Sequence, residues 1–460
     1  MNMDEIKAVY FVGAGGIGMS ALIRYFLFNN KKVGGYDRVR TDLTESLKLE
    51  GALIHYEDDV NSIPDIFKDP THTLIVYTPA IPDNHSELTF FRNNNFEIMK
   101  RAQLLGLITR HNRSLCVAGT HGKTTTSSML AHILKQSHLD CNAFLGGILK
   151  NYDSNLMLSS NSDLAVIEAD EFDRSFHWLS PYMAVITAVD PDHLDIYGTE
   201  AAYRESFAKF VSLINPQGCL VIRKGIQLDT SGFKGKIYTY SAADGGDFHA
   251  ENIRIGNGDI IFDFVGPDVR IEDVYLGVPV KINIENGVAA MALAWLNGAE
   301  AKEIKAAMAT FRGARRRFDF HLKTDKVVLI DDYAHHPAEI KASILSVREL
   351  YPDRKITGIF QPHLYTRTRD FAADFATSLS LLDELILLDI YPAREEPIPG
   401  VSSEIIFSKV AIENKHLLKM SELIDFMSSK SYDIVLMLGA GNIERLIDPV
   451  KEVLSNQAKS

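Results

Sequence analysis

The stretch Ala118-Gly119-Thr120-His121-Gly122-Lys123-Thr124-Thr125-Thr126 constrains this chain more than any other. It follows the apolar run Leu115-Cys116-Val117 and opens a helical pattern from Ser127 to Lys135. A strand that passes through a glycine turn into a helix belongs to a parallel α/β sheet. The same turn presents backbone N–H groups to a phosphate, with Lys123 as a point charge and the Thr124 hydroxyl available to Mg²⁺. Val117 stands where the strict phosphate-loop pattern has its first glycine, so the match is a variant one. The plainer reading is a glycine turn before an ordinary helix. The Lys-Thr pair at the helix entrance and the acidic residues downstream speak against it.

With 460 residues the chain is too long for one core, and two to four domains are expected. A net charge of −12 argues against non-specific binding to nucleic acid or to an anionic membrane surface. Anionic small molecules remain possible, since they need only a local cationic pocket. Cys116, Cys141 and Cys219 are widely spaced and form no CxxC pattern, which suits reduced thiols in the cytoplasm. The first residues lack the basic flank of a signal peptide, and no apolar run reaches the length of a membrane span. The expectation is a cytoplasmic, multidomain α/β enzyme with no nucleic acid and no membrane insertion.

Residues 7–105 read as one α/β unit. A strand at Val9–Val12 leads into Gly13-Ala14-Gly15-Gly16-Ile17-Gly18 and a helix to about Phe28. A second strand, Lys32–Tyr36, ends at Asp37, and a later one, Leu74–Tyr77, ends at Thr78-Pro79-Ala80. The polar stretch 109–114 separates this unit from the phosphate loop. Beyond the loop, Leu164–Ile167 ends in Glu168-Ala169-Asp170-Glu171, and Ala184–Thr187 leads to Asp190-Pro191-Asp192-His193. Residues 217–282 alternate in β fashion, with Asn257-Gly258 as a hairpin signal. Helical patterns return over 286–296 and 301–311. A third α/β unit follows the basic cluster Arg315-Arg316-Arg317, with strands at Val327–Ile330, Ile356–Phe360, Leu385–Leu388 and Ile434–Met437.

Several constellations carry chemistry. Gly13-x-Gly15-x-x-Gly18 with Asp37 fits the dinucleotide fingerprint, yet its physics is less specific: the loop holds a pyrophosphate, and Asp37 can bond a sugar or a base. A nucleotide-sugar diphosphate satisfies it as well as NAD does. Glu168 follows an apolar strand and can hold Mg²⁺ opposite Thr124, with His193 past a neighbouring strand end completing the site. Asp170, Glu171 and Asp173 also read as a solvated acidic loop. The arginine cluster reads as a solvated charge run or equally, at a domain junction opposite a phosphate site, as the source of an arginine for a γ-phosphate. Asp332-Tyr333-Ala334-His335-His336 and His363-Leu364-Tyr365-Thr366-Arg367 follow strand ends and should converge on one sheet edge, where ligands bind.

Together these segments resemble the Mur ligase family, the amino-acid-adding enzymes of bacterial peptidoglycan synthesis, over nearly the whole chain. The residues that carry the resemblance are Gly13–Ser20, Gly119–Thr126, Glu168–Glu171, Arg316–Phe318, Asp331–Pro337, Phe360–His363, Tyr365–Arg369, Glu395–Gly400 and Gly439–Asn442. The best match is to the alanine-adding branch. The resemblance implies three domains: a UDP-sugar-binding Rossmann-like domain over 1–106, a central P-loop-type ATP-binding domain with a β-rich subregion over 107–314, and a Rossmann-like ligase domain over 315–460.

It implies ATP as co-substrate, Mg²⁺ or Mn²⁺ as metal, and L-alanine and UDP-N-acetylmuramate as the joined substrates, in a monomer or weak homodimer. Gly15, Gly16, Ile17, Gly18, Met19 and Ser20 would contact the diphosphate, with Asp37, Thr78 and His121 also on the UDP-sugar. Gly119, Thr120, His121, Gly122, Lys123, Thr124 and Thr125 would cradle ATP. Asn283 and Asn286 would lie on the adenine side, with Arg317 on the phosphates and Asp332 on the ribose. Thr124, Glu168 and His193 would serve the metal. Tyr333, His335 and Arg367 would surround alanine, with Lys123, His335, Tyr333 and Arg367 carrying the chemistry.

Three departures stand out. Ile282 replaces a histidine and Leu364 an arginine common among relatives. Phe207 falls where sister ligases carry a carbamylated lysine, which the alanine-adding branch also lacks. The rival within the family is a recycling ligase that adds a preformed tripeptide to the same sugar nucleotide, and a pterin polyglutamate ligase lacks the first domain. Outside the family stand an NAD-dependent oxidoreductase and a non-catalytic nucleotide-binding regulator.

Overall fold

The computed structural model describes residues 3, 5–78, 81–191, 194–243, 245–256, 258–393 and 395–459. His193, Pro79-Ala80 and Asn257 therefore lie outside the described residues. Contacts divide the chain into two units, residues 1–251, 264–272 and 285–310 in one, and 252–263, 273–284 and 311–460 in the other.

The first unit holds two sheets. Strands β1 (Ala8–Val12), β2 (Lys32–Tyr36), β3 (Leu53–His55), β4 (Thr73–Tyr77) and β5 (Glu97–Lys100) pair in the order β3-β2-β1-β4-β5, all parallel. All five residues of β1 are buried, as a strand covered on both faces requires. The strand order reverses beside β1, so Gly13–Gly18 sits at the switch point where such sheets bind ligands. The second sheet brings together β6 (Arg113–Ala118), β7 (Asn142–Leu149), β8 (Ser154–Met157), β9 (Leu164–Ala169), β10 (Met183–Ile186), β11 (Cys219–Arg223) and β12 (Lys236–Ser241). Here β6 lies between β10 and β9, parallel to both, and its carboxyl end feeds the phosphate loop. The expected β-rich subregion follows as β13 (Phe248–Gly256), β14 (Asp259–Gly266) and β15 (Val269–Tyr275), each beside the next.

The second unit holds a sheet of β16 (Asp319–Lys323), β17 (Val328–Asp332), β18 (Ile356–Phe360), β19 (Glu384–Leu388), β20 (Lys415–Leu418) and β21 (Ile434–Leu438), in the order β16-β17-β21-β18-β19-β20. Only β16 runs antiparallel to its neighbour. The carboxyl ends of β17 and β18 lead directly to Tyr333–His336 and Gln361–Arg367, on one edge as the sequence predicts.

Cys116, Cys141 and Cys219 are all buried and unpaired. Burial pushes their thiols up, Cys141 and Cys219 to about 12. Among the described residues no helix is long and apolar enough to cross a membrane.

Inside the first sheet, Tyr10 on β1 donates its hydroxyl to Glu87 Oε2 at 2.8 Å, and the Tyr10 hydroxyl oxygen lies 2.6 Å from His55 Nε2. Glu87 is fully buried, and burial is the main cause that pushes its carboxyl up to about 8. His55 and His85 are pushed down, also by burial. Because the folded value for Glu87 exceeds the unfolded one, its contribution is complete below the ordinary glutamate range and is lost as pH rises through about 8. The histidines act on the acid side. Glu87→Gln is therefore expected to keep the melting temperature flatter between pH 5 and 8, by roughly 2–4 °C. Equal losses over that range in both proteins, read by differential scanning calorimetry, would remove Glu87 from that role.

Candidate functional site

Gly119–Gly122 links β6 to the helix Lys123–Gln136, and the loop is tied down from outside. The Thr120 hydroxyl lies 2.8 Å from the Asp190 carbonyl and 2.9 Å from the Tyr203 hydroxyl. The Thr187 hydroxyl donates to the His121 carbonyl. Gly122 caps the helix at φ +81, a backbone that favours glycine. A Cβ there would fall 2.7 Å from Asn286 Oδ1, so the helix Ile282–Leu296 packs against the loop. Asn286 also accepts from Thr126 at 3.2 Å. No side chain caps the helix Lys123–Gln136, which leaves its first N–H groups to a ligand.

Thr124 and Glu168 meet as the sequence predicts: the hydroxyl donates to Oε1 at 2.8 Å. Glu168 is held from behind by the Gly146 N–H at 2.9 Å to Oε2. A hydroxyl beside a carboxylate is a hard oxygen donor pair, which suits Mg²⁺ completed by phosphate oxygens and water. Among the described residues no group of three or more His, Cys, Asp and Glu side chains could hold a metal by itself. Phe207 is fully buried and packs its ring 5.1 Å from those of Phe176 and Tyr203. That position is aromatic core, with no ligating atom to offer.

Lys123 does not stand free. Its ammonium donates to the Gly119 carbonyl at 2.7 Å and pairs with Glu171 at 2.6 Å. Glu171 is 1% exposed, so the solvated-loop reading fails for it. The signal was its place three residues past Glu168, at the end of an apolar strand.

At the first sheet, the helix Ile17–Phe28 begins at Gly16 with no side-chain cap. Asp37 spends one carboxylate oxygen on the Gly15 N–H, at 2.6 Å, and the other on the Val39 N–H, at 3.0 Å. It thus braces the glycine loop, and any sugar hydroxyl must share its oxygens. Thr78 packs its methyl against Gly13. Met19 and Ser20 are buried, and the Ser20 hydroxyl donates back to the Ile17 carbonyl, so only their backbone faces the loop. Sequence reasoning missed Arg101, the first residue of the helix Arg101–Arg110. A Cβ on Gly18 would fall 2.9 Å from its Nη1. A cation over an open helix N-terminus is a second anion-binding element.

In the second unit, Arg317 lies between Arg316 at φ +61 and Phe318 at φ +46. Two non-glycine residues in left-handed conformation hold this turn at a strain of order 1–3 kcal/mol each. Arg316 fixes it by donating to the Gly439 carbonyl, and its guanidinium lies 5.0 Å from the Tyr333 ring centre. Asp332 accepts from the Ser343 hydroxyl and, at 3.4 Å, from the Phe318 N–H. Burial pushes its carboxyl up.

His335 Nδ1 lies 2.9 Å from the Tyr333 carbonyl. A carbonyl only accepts, so Nδ1 carries the proton and Nε2 keeps its lone pair. Burial pushes the imidazole down, toward the neutral form. The ring stands 6.1 Å from His363, whose Nδ1 lies 3.4 Å from Arg367 Nη1. Leu364 sits at φ +73 as the N-cap of the helix Tyr365–Asp370. Asn283 donates to the Val278 carbonyl at 3.2 Å, while Ile282 leaves 57% of its surface exposed.

An open phosphate loop, a second glycine loop and a histidine-arginine edge define a nucleotide-dependent ligase, and the chain belongs to the Mur ligase family. The models of the Mur ligase family catalytic domain, the Mur ligase middle domain and the Mur ligase glutamate ligase domain match residues 8–113, 117–294 and 316–441. The chain is 71% identical to the UDP-N-acetylmuramate–L-alanine ligase of Parabacteroides distasonis over 460 residues, covering 100% of both. The crystal structure of the UDP-N-acetylmuramate–alanine ligase of Thermotoga maritima matches with a TM-score of 0.80 at 27% identity, covering 98% of this chain and 100% of that one. A murein peptide ligase of Psychrobacter arcticus shares the fold, with a TM-score of 0.64 at 21% identity over 98% of this chain and 99% of its own.

Proposed function

We infer that this chain joins L-alanine to the lactyl carboxylate of UDP-N-acetylmuramate in peptidoglycan synthesis, with cleavage of ATP to ADP and phosphate. The observation that carries this reading is the full-length 71% identity to an alanine ligase. The TM-score of 0.80 to an alanine ligase against 0.64 to a murein peptide ligase favours it over the recycling reaction. The open anion sites at Gly119–Thr125 and Gly13–Gly18 support two phosphorylated substrates, one on each loop. The three sheets support domains over 1–106, 107–314 and 315–460. Nucleotide substrates point to the cytoplasm, and the chain works there as a monomer or weak homodimer.

A carboxylate is a poor electrophile because its leaving group would be oxide. One lactyl oxygen attacks the γ-phosphorus, the bond to ADP breaks, and the acyl phosphate that forms has a good leaving group. The alanine nitrogen then adds to the acyl carbon, and phosphate departs as the amide forms. Thr124 and Glu168, with His193 as the further ligand in this reading, would hold Mg²⁺ or Mn²⁺, which would supply neutralisation of phosphate charge. Lys123 and the first N–H groups of its helix hold the β- and γ-phosphates. Arg317 stabilises charge on the transferring phosphoryl group. Asn286, Asn283 and the exposed Ile282 serve the adenine side, the last as an apolar contact, and Asp332 serves the ribose.

The alanine amine reaches the enzyme largely protonated and must lose that proton. His335 is suited to accept it, since Nδ1–H is anchored on a carbonyl and Nε2 is a free acceptor. Arg367 provides a cation for the alanine carboxylate, and Tyr333 forms the wall between His335 and the arginines. The UDP diphosphate lies against the Gly15–Ser20 loop, where the Gly15 N–H is already held by Asp37 and those of Met19 and Ser20 by the Gly16 carbonyl. Arg101 faces the same charge, so Arg101→Ala is expected to raise KM for UDP-N-acetylmuramate about tenfold and leave KM for ATP unchanged. Equal rises in both constants would show a general loss of structure instead.

The deciding experiment measures phosphate release from ATP and Mg²⁺ with UDP-N-acetylmuramate, adding L-alanine in one arm and the tripeptide in another. Release that requires the sugar nucleotide and L-alanine establishes the reaction. Release only with the tripeptide moves the chain to the recycling branch, and none in either arm overturns the ligase reading.

A further inference from the structure

Glu171 is a buried carboxylate that the reaction above leaves unused. Its Oε1 accepts from Lys123 Nζ at 2.9 Å and its Oε2 lies 2.6 Å from the same nitrogen. The Gly119 carbonyl, at 2.7 Å, accepts from it too. Of the ammonium's three N–H donors, two are committed, to Glu171 Oε1 and the Gly119 carbonyl, while Oε2 stands in ion-pair contact. Burial pushes the Glu171 carboxyl up and Asp170 adds to the effect, while Lys123 opposes it.

The carboxylate's backbone is fixed. The Tyr197 hydroxyl and the Arg174 N–H both donate to the Glu171 carbonyl, the second at 3.0 Å. The Arg174 guanidinium lies 4.6 Å from the Tyr197 ring centre. Asp173 and Arg174 follow at φ +47 and +62, a left-handed pair that the surroundings must enforce. Between a fixed carboxylate and a lysine on a four-carbon stem, the lysine is the partner that can move.

We propose that Glu171 is a positioning residue of the phosphate loop: it tethers Lys123 beside the Gly119 carbonyl and competes with the nucleotide for the lysine's charge. The proposal rests on the reading of Gly119–Thr125 as the ATP site. A phosphate must share the ammonium's charge with a carboxylate 2.6 Å away. Resting affinity for ATP is thereby held below that of an unpaired lysine. The lysine then engages most fully where phosphate charge is greatest, which favours the transition state over the bound substrate.

The test is calorimetric titration of the β,γ-methylene analogue of ATP, with Mg²⁺, into four full-length proteins: wild type, Glu171→Gln, Lys123→Met and the double variant. Glu171→Gln is expected to bind the analogue about tenfold tighter than wild type, and to change affinity less than about twofold in the Lys123→Met background. KM for ATP should fall in Glu171→Gln with no rise in kcat. A buried pair that only stabilises the loop gives weaker binding in Glu171→Gln, and that result overturns the proposal. Equal tightening in both backgrounds also overturns it, because the effect then comes from general charge and not from the lysine. If thermal melting shows Glu171→Gln unfolded, Glu171→Asp carries the test, with about threefold tighter binding expected from the lengthened contact and none overturning the proposal. Wild-type protein that binds no analogue overturns the ATP reading together with this one. Wild-type binding without a lysine-dependent gain overturns this one alone.

Discussion

Lys123→Met is expected to lower turnover about 10³-fold while the sugar-nucleotide site stays intact. Methionine keeps the helical propensity and most of the volume of lysine but removes the charge at the entrance of the helix Lys123–Gln136. The γ-phosphoryl group then loses a donor that no neighbouring side chain of the loop replaces. The variant has a second signature. Glu171 stays 1% exposed and loses the ammonium 2.6 Å away, so its protonated form gains favour in the folded state. A carboxyl raised in the folded state contributes stability at low pH that is lost as pH rises. Lys123→Met should therefore melt lower than wild type, and progressively lower as pH rises above the ordinary glutamate range, while the double variant with Glu171→Gln should lose that slope. Steady-state phosphate release and thermal melting across pH check both parts. Turnover within tenfold of wild type would remove Lys123 from the transferring phosphoryl group.

Arg317→Lys should cost about 10²-fold in kcat with KM for UDP-N-acetylmuramate unchanged. Lysine retains the charge but not the planar fork that spans two phosphate oxygens. The frame around this residue argues for the fork. Arg316 and Phe318 keep left-handed backbones on either side, and Arg316 is itself anchored at the Gly439 carbonyl. A turn held under that strain aims its central side chain, and a flexible stem that ends in a point charge cannot use the aim. Activity within threefold of wild type would mean that Arg317 does not touch the transferring group.

How far the sequence carried depended on the kind of information needed. The two glycine loops were legible because they are local: strand, turn and helix start follow one another, and each sits at a strand end of its sheet. Thr124 and Glu168 were legible as a pair because one opens a helix and the other closes a neighbouring strand. Glu171 was misjudged, because an acidic loop reads as solvated until the fold shows what covers it. Arg101 was missed altogether. It lies 83 residues from Gly18 and comes to it only through the parallel pairing of β1, β4 and β5. Asp37 was found, but its bond to the Gly15 N–H was not, since a carboxylate at a strand end carries no sign of which neighbour it will take. Side-chain partners across a sheet are decided by packing, and the linear pattern does not encode them.

The three cysteines have a practical consequence. Each is buried, and burial raises all three thiols far above neutrality, so a negligible fraction is thiolate at pH 7. The folded protein offers a silent background to maleimide and other electrophilic labels. A single cysteine introduced on each side of the two units would report their separation by fluorescence energy transfer, with no native thiol removed first. The same silence means that a covalent inhibitor aimed at a cysteine has nothing to find here until the protein unfolds.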